Sequence, residues 1–270
     1  MTARRRVGIL GGTFDPIHCG HLDVGAAAQA ALDLEELLVL PSNIPPHRPQ
    51  PVASSYHRFA MVALAIAGRR GWRALDLELR EDGRSYTSET LGSLHDLGFH
   101  AQELFFVSGA DAFLEIATWK NYPAVLNLAH FAVVSRRAVP VGDLPARLPA
   151  LADRMRLIGD HDVRLTPFPL GCRPGPVDPA SLAGPQGPAL HDGEVRTALA
   201  PDTSYGTAID ETVIFLIDAS TANVSATAIR RARAHREPIA GMVPPAVRQH
   251  IEQHALYEDV PAAAEPGGGA

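Results

Sequence analysis

The chain is poor in cysteine, with only Cys19 and Cys172 in 270 residues. So few thiols exclude a disulfide framework of the secreted kind and fit a reducing compartment, the cytoplasm. A surplus of basic side chains is also missing. Acidic residues outnumber Lys and Arg 30 to 24, for a net charge of −6. Broad binding to nucleic-acid backbone requires the opposite balance. No apolar run is long enough to cross a bilayer. The basic start MTARRRVGIL lacks the apolar core and cleavage site of a secretion signal. Neither nucleic acid nor membrane is therefore expected as a partner, and a homo-oligomer is left open. The composition is globular, 46% hydrophobic and 20% charged, in a chain long enough for a sizeable core.

Short apolar runs alternate with helix-like stretches. Val7 to Leu10, Leu37 to Leu40, Ala74 to Leu79, Leu104 to Val107 and Phe131 to Val134 read as strands. His21 to Leu32, Tyr56 to Ala67 and Thr87 to Leu97 read as helices, the last capped by Thr87 or Ser88. The alternation predicts an α/β fold: a Rossmann-like parallel sheet with helices on both faces. Its ligands would lie beyond the carboxyl ends of the strands. One domain is expected over residues 1–258, with an irregular insertion at about 140–210 and a disordered tail at 259–270. Within the insertion, Arg147 to Leu157 reads as a short helix and Val163 to Leu165 as a short strand. Pro167 to Pro188, almost without periodicity, reads as an extended loop or flap. Thr212 to Ile217 should rejoin the sheet, followed by helices at Ala226 to His235 and Val247 to His254.

The chemistry is concentrated in GGTFDPIHCGHL, Gly11 to Leu22. Gly11 and Gly12 close a strand and allow a sharp turn with room for a ligand. His18 and His21 flank Gly20 where a helix begins. A helix start offers unpaired N–H groups and partial positive charge, which suit phosphate. Imidazole adds a directional donor, and Gly20 would let phosphate approach the backbone. Two histidines do not complete a tetrahedral zinc set, so no metal site is assigned here. A second string, VSATAIRR from Val224 to Arg231, places Ser225 as the cap of a helix. Thr227 and Arg230, three apart, share one helical face. Hydroxyl, helix start and guanidinium fork together make a phosphate clamp. On its own the string reads more readily as a capped, solvated helix.

The two strings together closely resemble the paired signatures of the nucleotidyltransferase superfamily. Four further strings resemble nicotinate-nucleotide adenylyltransferases of the bacterial type: PSNIPPHR at Pro41 to Arg48, ELREDGRSYTSETL at Glu78 to Leu91, FVSGADAFLEIATW at Phe106 to Trp119, and VPPAVRQHIEQHALY at Val243 to Tyr257. Arg48 stands where most of that family has Lys. Charge is kept, but the fork geometry differs.

The resemblance implies adenylyl transfer from ATP to nicotinate mononucleotide. Catalytic roles fall on His18, His21 and Arg230. ATP contacts fall on Gly11, Gly12, Thr13, Phe14, His18, Gly20, His21, Gly109, Asp111, Ser225, Thr227 and Arg230. Asp111 would hold ribose hydroxyls from a strand end, or cap the following helix. Asp15, His47, Arg48, Tyr86, Thr87, Trp119 and Lys120 would meet the mononucleotide. Trp119 offers a face to the pyridine ring, or packs in the core. In the family, main-chain N–H groups at the positions of Thr87 and Lys120 meet the nicotinate carboxylate. Mg²⁺ is expected with ATP, held mainly by phosphates and water. The rival readings are an adenylyltransferase for nicotinamide mononucleotide or phosphopantetheine, and an inactive nucleotide-binding sensor.

Overall fold

The computed structural model describes residues 5–46, 50–136, 139–158 and 211–258. The Leu-, Val- and Ile-rich runs become β1 (Val7–Gly12), β2 (Glu36–Pro41), β3 (Trp72–Ala74), β4 (Leu104–Gly109), β5 (His130–Val134), β6 (Met155–Ile158) and β7 (Ile214–Ile217). They form one sheet in the order β3-β2-β1-β4-β5-β7-β6, every pairing parallel. Parallel neighbours require crossovers. The main ones carry α1 (Cys19–Leu32), α2 (Ser55–Ile66), α3 (Thr87–Asp96), α4 (Ala110–Phe113) and α5 (Leu144–Arg147). Among the described residues, two helices follow β7, α6 (Ala226–Ala234) and α7 (Pro245–Gln253).

The two-residue period of the strands sorts their side chains into two cores. Leu10, Leu37, Val39, Phe105, Val107 and Val134 pack with α1, α2, α6 and α7 through Leu22, Met61, Ile229 and Val247. Ile9, Leu38, Leu40, Phe106, Phe131 and Val133 face the other way, against Leu91 and Leu94 of α3 and Phe113 of α4. Each fully buried Leu, Ile or Phe contributes about 1.5–3 kcal/mol of burial, so both helix layers are held chiefly by these contacts. The expected Rossmann-like sheet with helices on both faces is the observed one. From β1 the chain runs outward through β2 and β3, then returns to place β4 on the other side of β1. The crevice at this reversal lies beyond Gly12 and Gly109, the last residues of β1 and β4.

Three local expectations are corrected. The strand expected at Ala74 to Leu79 ends at Ala74, and Leu77–Leu79 is a 3₁₀ turn. On the side of β2 facing β3, Leu37 N–H donates to Gly71 and the Val39 carbonyl accepts from Leu75. The next donor on that side would be Pro41, which has no N–H, so the ladder stops. At α3 the capping position belongs to Tyr86, whose carbonyl accepts from Glu89 and Thr90; Thr87 already opens the helix. The helix expected at Arg147 to Leu157 is instead α5, a 3₁₀ turn at Pro149–Arg154 and strand β6. Pro149 ends the helical run, and Met155–Ile158, inside the stretch read as irregular, pairs with β7. The expectations for Val163 to Leu165, for Pro167 to Pro188 and for the tail lie outside the described residues. No helix among the described residues is long and apolar enough to cross a membrane.

Candidate active site

Beyond Gly12 the chain turns through Thr13 to His18 and enters α1. His18 is the extended N-cap, at φ −145° and ψ 172°, and its carbonyl accepts from His21 N at 2.9 Å. Its own N–H donates to Nδ1 of His21 at 3.4 Å. A His21 ring that accepts at Nδ1 carries its proton on Nε2, a donor for a ligand. The His18 and His21 rings stack, with centroids 3.7 Å apart. His18 is fully buried while His21 is half-buried. Of the two histidines expected at phosphate, His21 is thus the more accessible, with His18 stacked behind it.

Two further residues of this turn have close protein neighbours. Phe14 is buried, at φ 48°, and sets the edge of its ring against His21 at a centroid distance of 5.0 Å. Its side chain packs against His21. Gly20 leaves room for protein: a Cβ there would lie 2.8 Å from the carbonyl oxygen of Ala222 and 3.3 Å from the His18 ring. The contact that Gly20 permits is thus with the segment leading into α6.

That contact draws the second string to the first. Asp23 of α1 accepts from Ala222 N at 2.8 Å, and Cys19 N donates to the Met242 carbonyl at 3.0 Å. Ser225 caps α6 as expected, its Oγ accepting from Ala228 N at 3.2 Å. Arg230 Nη2 reaches Thr227 Oγ1 at 3.4 Å, so the two residues do share a face. Arg230 Nη1 donates to the carbonyl of Asp15 at 2.6 Å. The starts of α1 and α6 are thereby fastened side by side. Each directs N–H groups and partial positive charge at the same corner.

Asp15 turns inward. Its carboxylate accepts from Val52 N at 2.7 Å, Ala53 N at 3.0 Å and the Tyr257 hydroxyl at 2.9 Å, with Arg230 Nη1 3.8 Å away. The carboxylate of this residue, expected from the sequence to meet the mononucleotide, is thus engaged by three protein donors. The residue joins the turn to the start of α2 and to the C-terminal end of the described chain. Burial raises the Tyr257 hydroxyl pKa well above its ordinary value, and neighbouring Asp15 adds to the shift. The phenol therefore keeps its proton and donates.

Arg58 was not singled out in the sequence. It is buried on α2 and donates to the carbonyls of Thr13 at 2.9 Å, Asn43 at 3.1 Å and Ala53 at 3.3 Å, and also to that of Ser42. One guanidinium thus ties the turn after β1 to the loop after β2. Burial lowers its pKa, against the opposing charge of Asp15. A signal was present: Arg58 shares a helical face with Met61, Val62 and Ala65, all core residues.

The loop after β2 is stitched to the segment before α3. Asn43 N donates to Ser85 Oγ at 2.8 Å and Ser85 N to the Ile44 carbonyl at 2.9 Å. Beside this seam lies an open cleft lined by Pro46, Ser85, Tyr86, Thr87, Trp119 and Lys120. Four of these were expected together; Pro46 and Ser85 were not. Trp119 both packs and lines: its ring meets Phe106 edge-on at 5.7 Å while bordering the cleft. Lys120 Nζ stands 4.3 Å from the Tyr86 ring centroid and pairs with Glu89. His47 and Arg48 lie outside the described residues.

At the end of β4, Gly109 is the N-cap of α4, so Asp111 lies within the first turn and is not the cap. A Cβ on Gly109 would lie 2.6 Å from Asp111 Oδ1 and 2.8 Å from Arg136 Cδ. Glycine here lets the Asp111 carboxylate and the Arg136 side chain approach the end of β4.

A parallel sheet with two helix starts, a histidine and an arginine at its reversal point defines a nucleotide-handling α/β protein. Residues 9–232 match the model of the Cytidylyltransferase-like family. A protein of Desulfatibacillum aliphaticivorans named "Probable nicotinate-nucleotide adenylyltransferase" is 34% identical over 254 residues, covering 93% of this chain and 99% of that protein. One of Cronobacter sakazakii with the same name is 35% identical over 247 residues, 92% of this chain and 93% of that one. The Plasmodium falciparum nicotinic acid mononucleotide adenylyltransferase solved with NaAD shares the fold. Its TM-score is 0.57 at 14% identity, covering 94% of this chain and 98% of that one. The chain belongs to the nicotinate-nucleotide adenylyltransferase family, and it is a nucleotidyltransferase of NAD biosynthesis.

Proposed function

We propose that this site joins the 5′-phosphate of nicotinate mononucleotide to the α-phosphorus of ATP. A phosphate oxygen of the mononucleotide forms the new P–O bond. The bond from the α-phosphorus to the bridging oxygen breaks, and pyrophosphate leaves. The attacking phosphate is already anionic, so no protein nucleophile or general base is needed. Rate enhancement then comes from in-line positioning and from donors aimed at developing charge.

His21 Nε2 is the donor to the phosphates near the reacting centre. Ser225, Thr227, Arg230 and the start of α6 hold the β- and γ-phosphates. Gly11, Gly12 and Thr13 form the floor under the nucleotide, and Gly109 and Asp111 border the ribose. Phe14, His18, Gly20 and Asp15 act as positioning residues, through the contacts described above. When present, Mg²⁺ neutralises phosphate charge. The nearby Asp15 carboxylate is engaged by Val52, Ala53 and Tyr257, so the ion would rely on phosphate oxygens and water.

The observation that carries the choice of acceptor is the cleft between Trp119 and the start of α3. Trp119 and Tyr86 supply aromatic walls for a pyridine ring. The first N–H groups of α3, at Thr87 and Ser88, lie at the positive end of the helix and favour an anionic substituent over a neutral amide. His47 and Arg48, which follow Pro46 in the chain, are assigned to the mononucleotide phosphate by family resemblance. Pyrophosphate release from ATP tests the reading, with nicotinate mononucleotide, nicotinamide mononucleotide and phosphopantetheine compared as acceptors. Fastest turnover with the nicotinate acceptor is expected. A wide preference for the amide or for phosphopantetheine, or ATP binding without pyrophosphate release, overturns it.

A further inference from the structure

Away from the phosphate corner, three imidazoles converge on the outer side of α2 and α7. His57 lies in the first turn of α2, His250 in α7 and His254 at its C-cap. Histidines four apart on a helix project from one face, the spacing by which a single helix offers two ligands to one ion. His57 supplies the third ring from the packed neighbour. One nitrogen from each of the three lies within 4.8 Å of the others. His57 Nδ1 and His250 Nε2 are 3.1 Å apart. Two nitrogens bound to one tetrahedral Zn²⁺ at 2.0–2.1 Å would be separated by roughly 3.3–3.4 Å, so this pair is already near bonding geometry. His254 is exposed, and its ring has room to complete the set.

Packing alone explains the cluster poorly. Three imidazoles are gathered at the surface with ring centroids 4.5–5.2 Å apart, where charged residues on an ordinary helix face would spread out. No carboxylate belongs to the group, and an all-imidazole set selects zinc and similar borderline ions over Mg²⁺.

We propose that His57, His250 and His254 form a Zn²⁺ site with water in the fourth position. It is separate from the phosphate corner. The ion would fasten α2 to α7. His57 lies four residues beyond Ala53 and His254 three before Tyr257, and both of those residues hold Asp15. Zinc at this site therefore braces the corner behind the turn without touching a substrate.

Titration calorimetry and thermal unfolding of the untagged protein with Zn²⁺, and with Mg²⁺ for comparison, test the site. One equivalent of Zn²⁺ is expected, and the midpoint should rise by roughly 5–10 °C at a hundredfold excess over Kd. Mg²⁺ should give no such rise. His254→Ala, at an exposed position, should fold normally, weaken Zn²⁺ binding at least about 100-fold and lose the thermal shift. His57→Gln should do the same, and His21→Ala should keep both signals. The proposal is overturned if the wild type takes up no Zn²⁺, if His254→Ala binds it undiminished, or if His21→Ala loses it as His254→Ala does.

Discussion

Arg230 donates through Nη1 to the carbonyl of Asp15, 2.6 Å away, across 215 residues of chain. The bond fixes the guanidinium so that its remaining donors stay at the junction of α1 and α6. Replacing Arg230 by Ala removes a charge-bearing donor from that junction and one anchor of the turn. Turnover should fall about 10²–10³-fold, with a higher KM for ATP. Arg230→Lys keeps the charge but cannot hold both Asp15 and Thr227, and should recover only part of the activity. Steady-state pyrophosphate release at varied ATP checks this. Wild-type kcat and KM in the lysine variant would show that the fork is not needed.

His21 is the half-buried member of the stacked pair, and its Nδ1 is occupied by His18 N–H. Nε2 is the ring atom that the proposal assigns to a ligand. His21→Ala should lower turnover by about 10²–10³-fold while leaving the circular dichroism and the unfolding midpoint nearly unchanged. A ring lost from the surface of the turn costs little packing. Near-normal turnover would remove His21 from the proposed chemistry.

The sheet, its parallel sense and both helix layers were legible in the apolar periodicity, because core burial enforces it directly. So was the pairing of Thr227 with Arg230, which follows from helical spacing alone. Less legible was what depends on chain segments meeting in space. The sequence offers Gly20 as room for phosphate and gives no sign that the Ala222 carbonyl also lies close to it. Asp15 looked like a ligand contact, but its partners arrive from Val52, Ala53 and Tyr257. Spacing within a string cannot announce a partner 242 residues away. Arg58 was the one such residue with a local sign, a charge on the apolar face of its helix.

Asp15→Asn tests the inward-facing role. An amide presents one acceptor oxygen and a nitrogen that can only donate. It cannot satisfy Val52 N, Ala53 N and the Tyr257 hydroxyl together. Stability should fall by roughly 2–4 kcal/mol, read from urea unfolding midpoints. Tyr257→Phe removes one of those donors and should cost less, about 1–2 kcal/mol. If Asp15→Asn left stability intact and raised only the KM for the mononucleotide, the carboxylate would be a substrate contact after all.

Glu78 gives the protein a pH dependence of defined sign. Burial raises its pKa above the ordinary 4.5, while hydrogen bonds from Thr90 and Ser85 and the charge of Arg58 oppose the shift. The Thr90 bond, 2.7 Å long, ties the turn after β3 to α3, which carries Thr87 at its start. A folded-state pKa above the unfolded one means that the native state binds the proton more tightly. The contribution of this group to stability is then fully present below about pH 4.5 and is lost as pH rises through the folded value. Glu78→Gln keeps an acceptor for Thr90 but cannot ionise. Relative to wild type it should gain stability above the folded pKa of Glu78. The difference should shrink as the pH falls toward the range where Glu78 is protonated in both states. Urea midpoints for both proteins between pH 4.5 and pH 8 decide the matter. A wild-type advantage that grows with pH would mean that the carboxylate is stabilised here as an anion, with its hydrogen bonds and Arg58 outweighing burial.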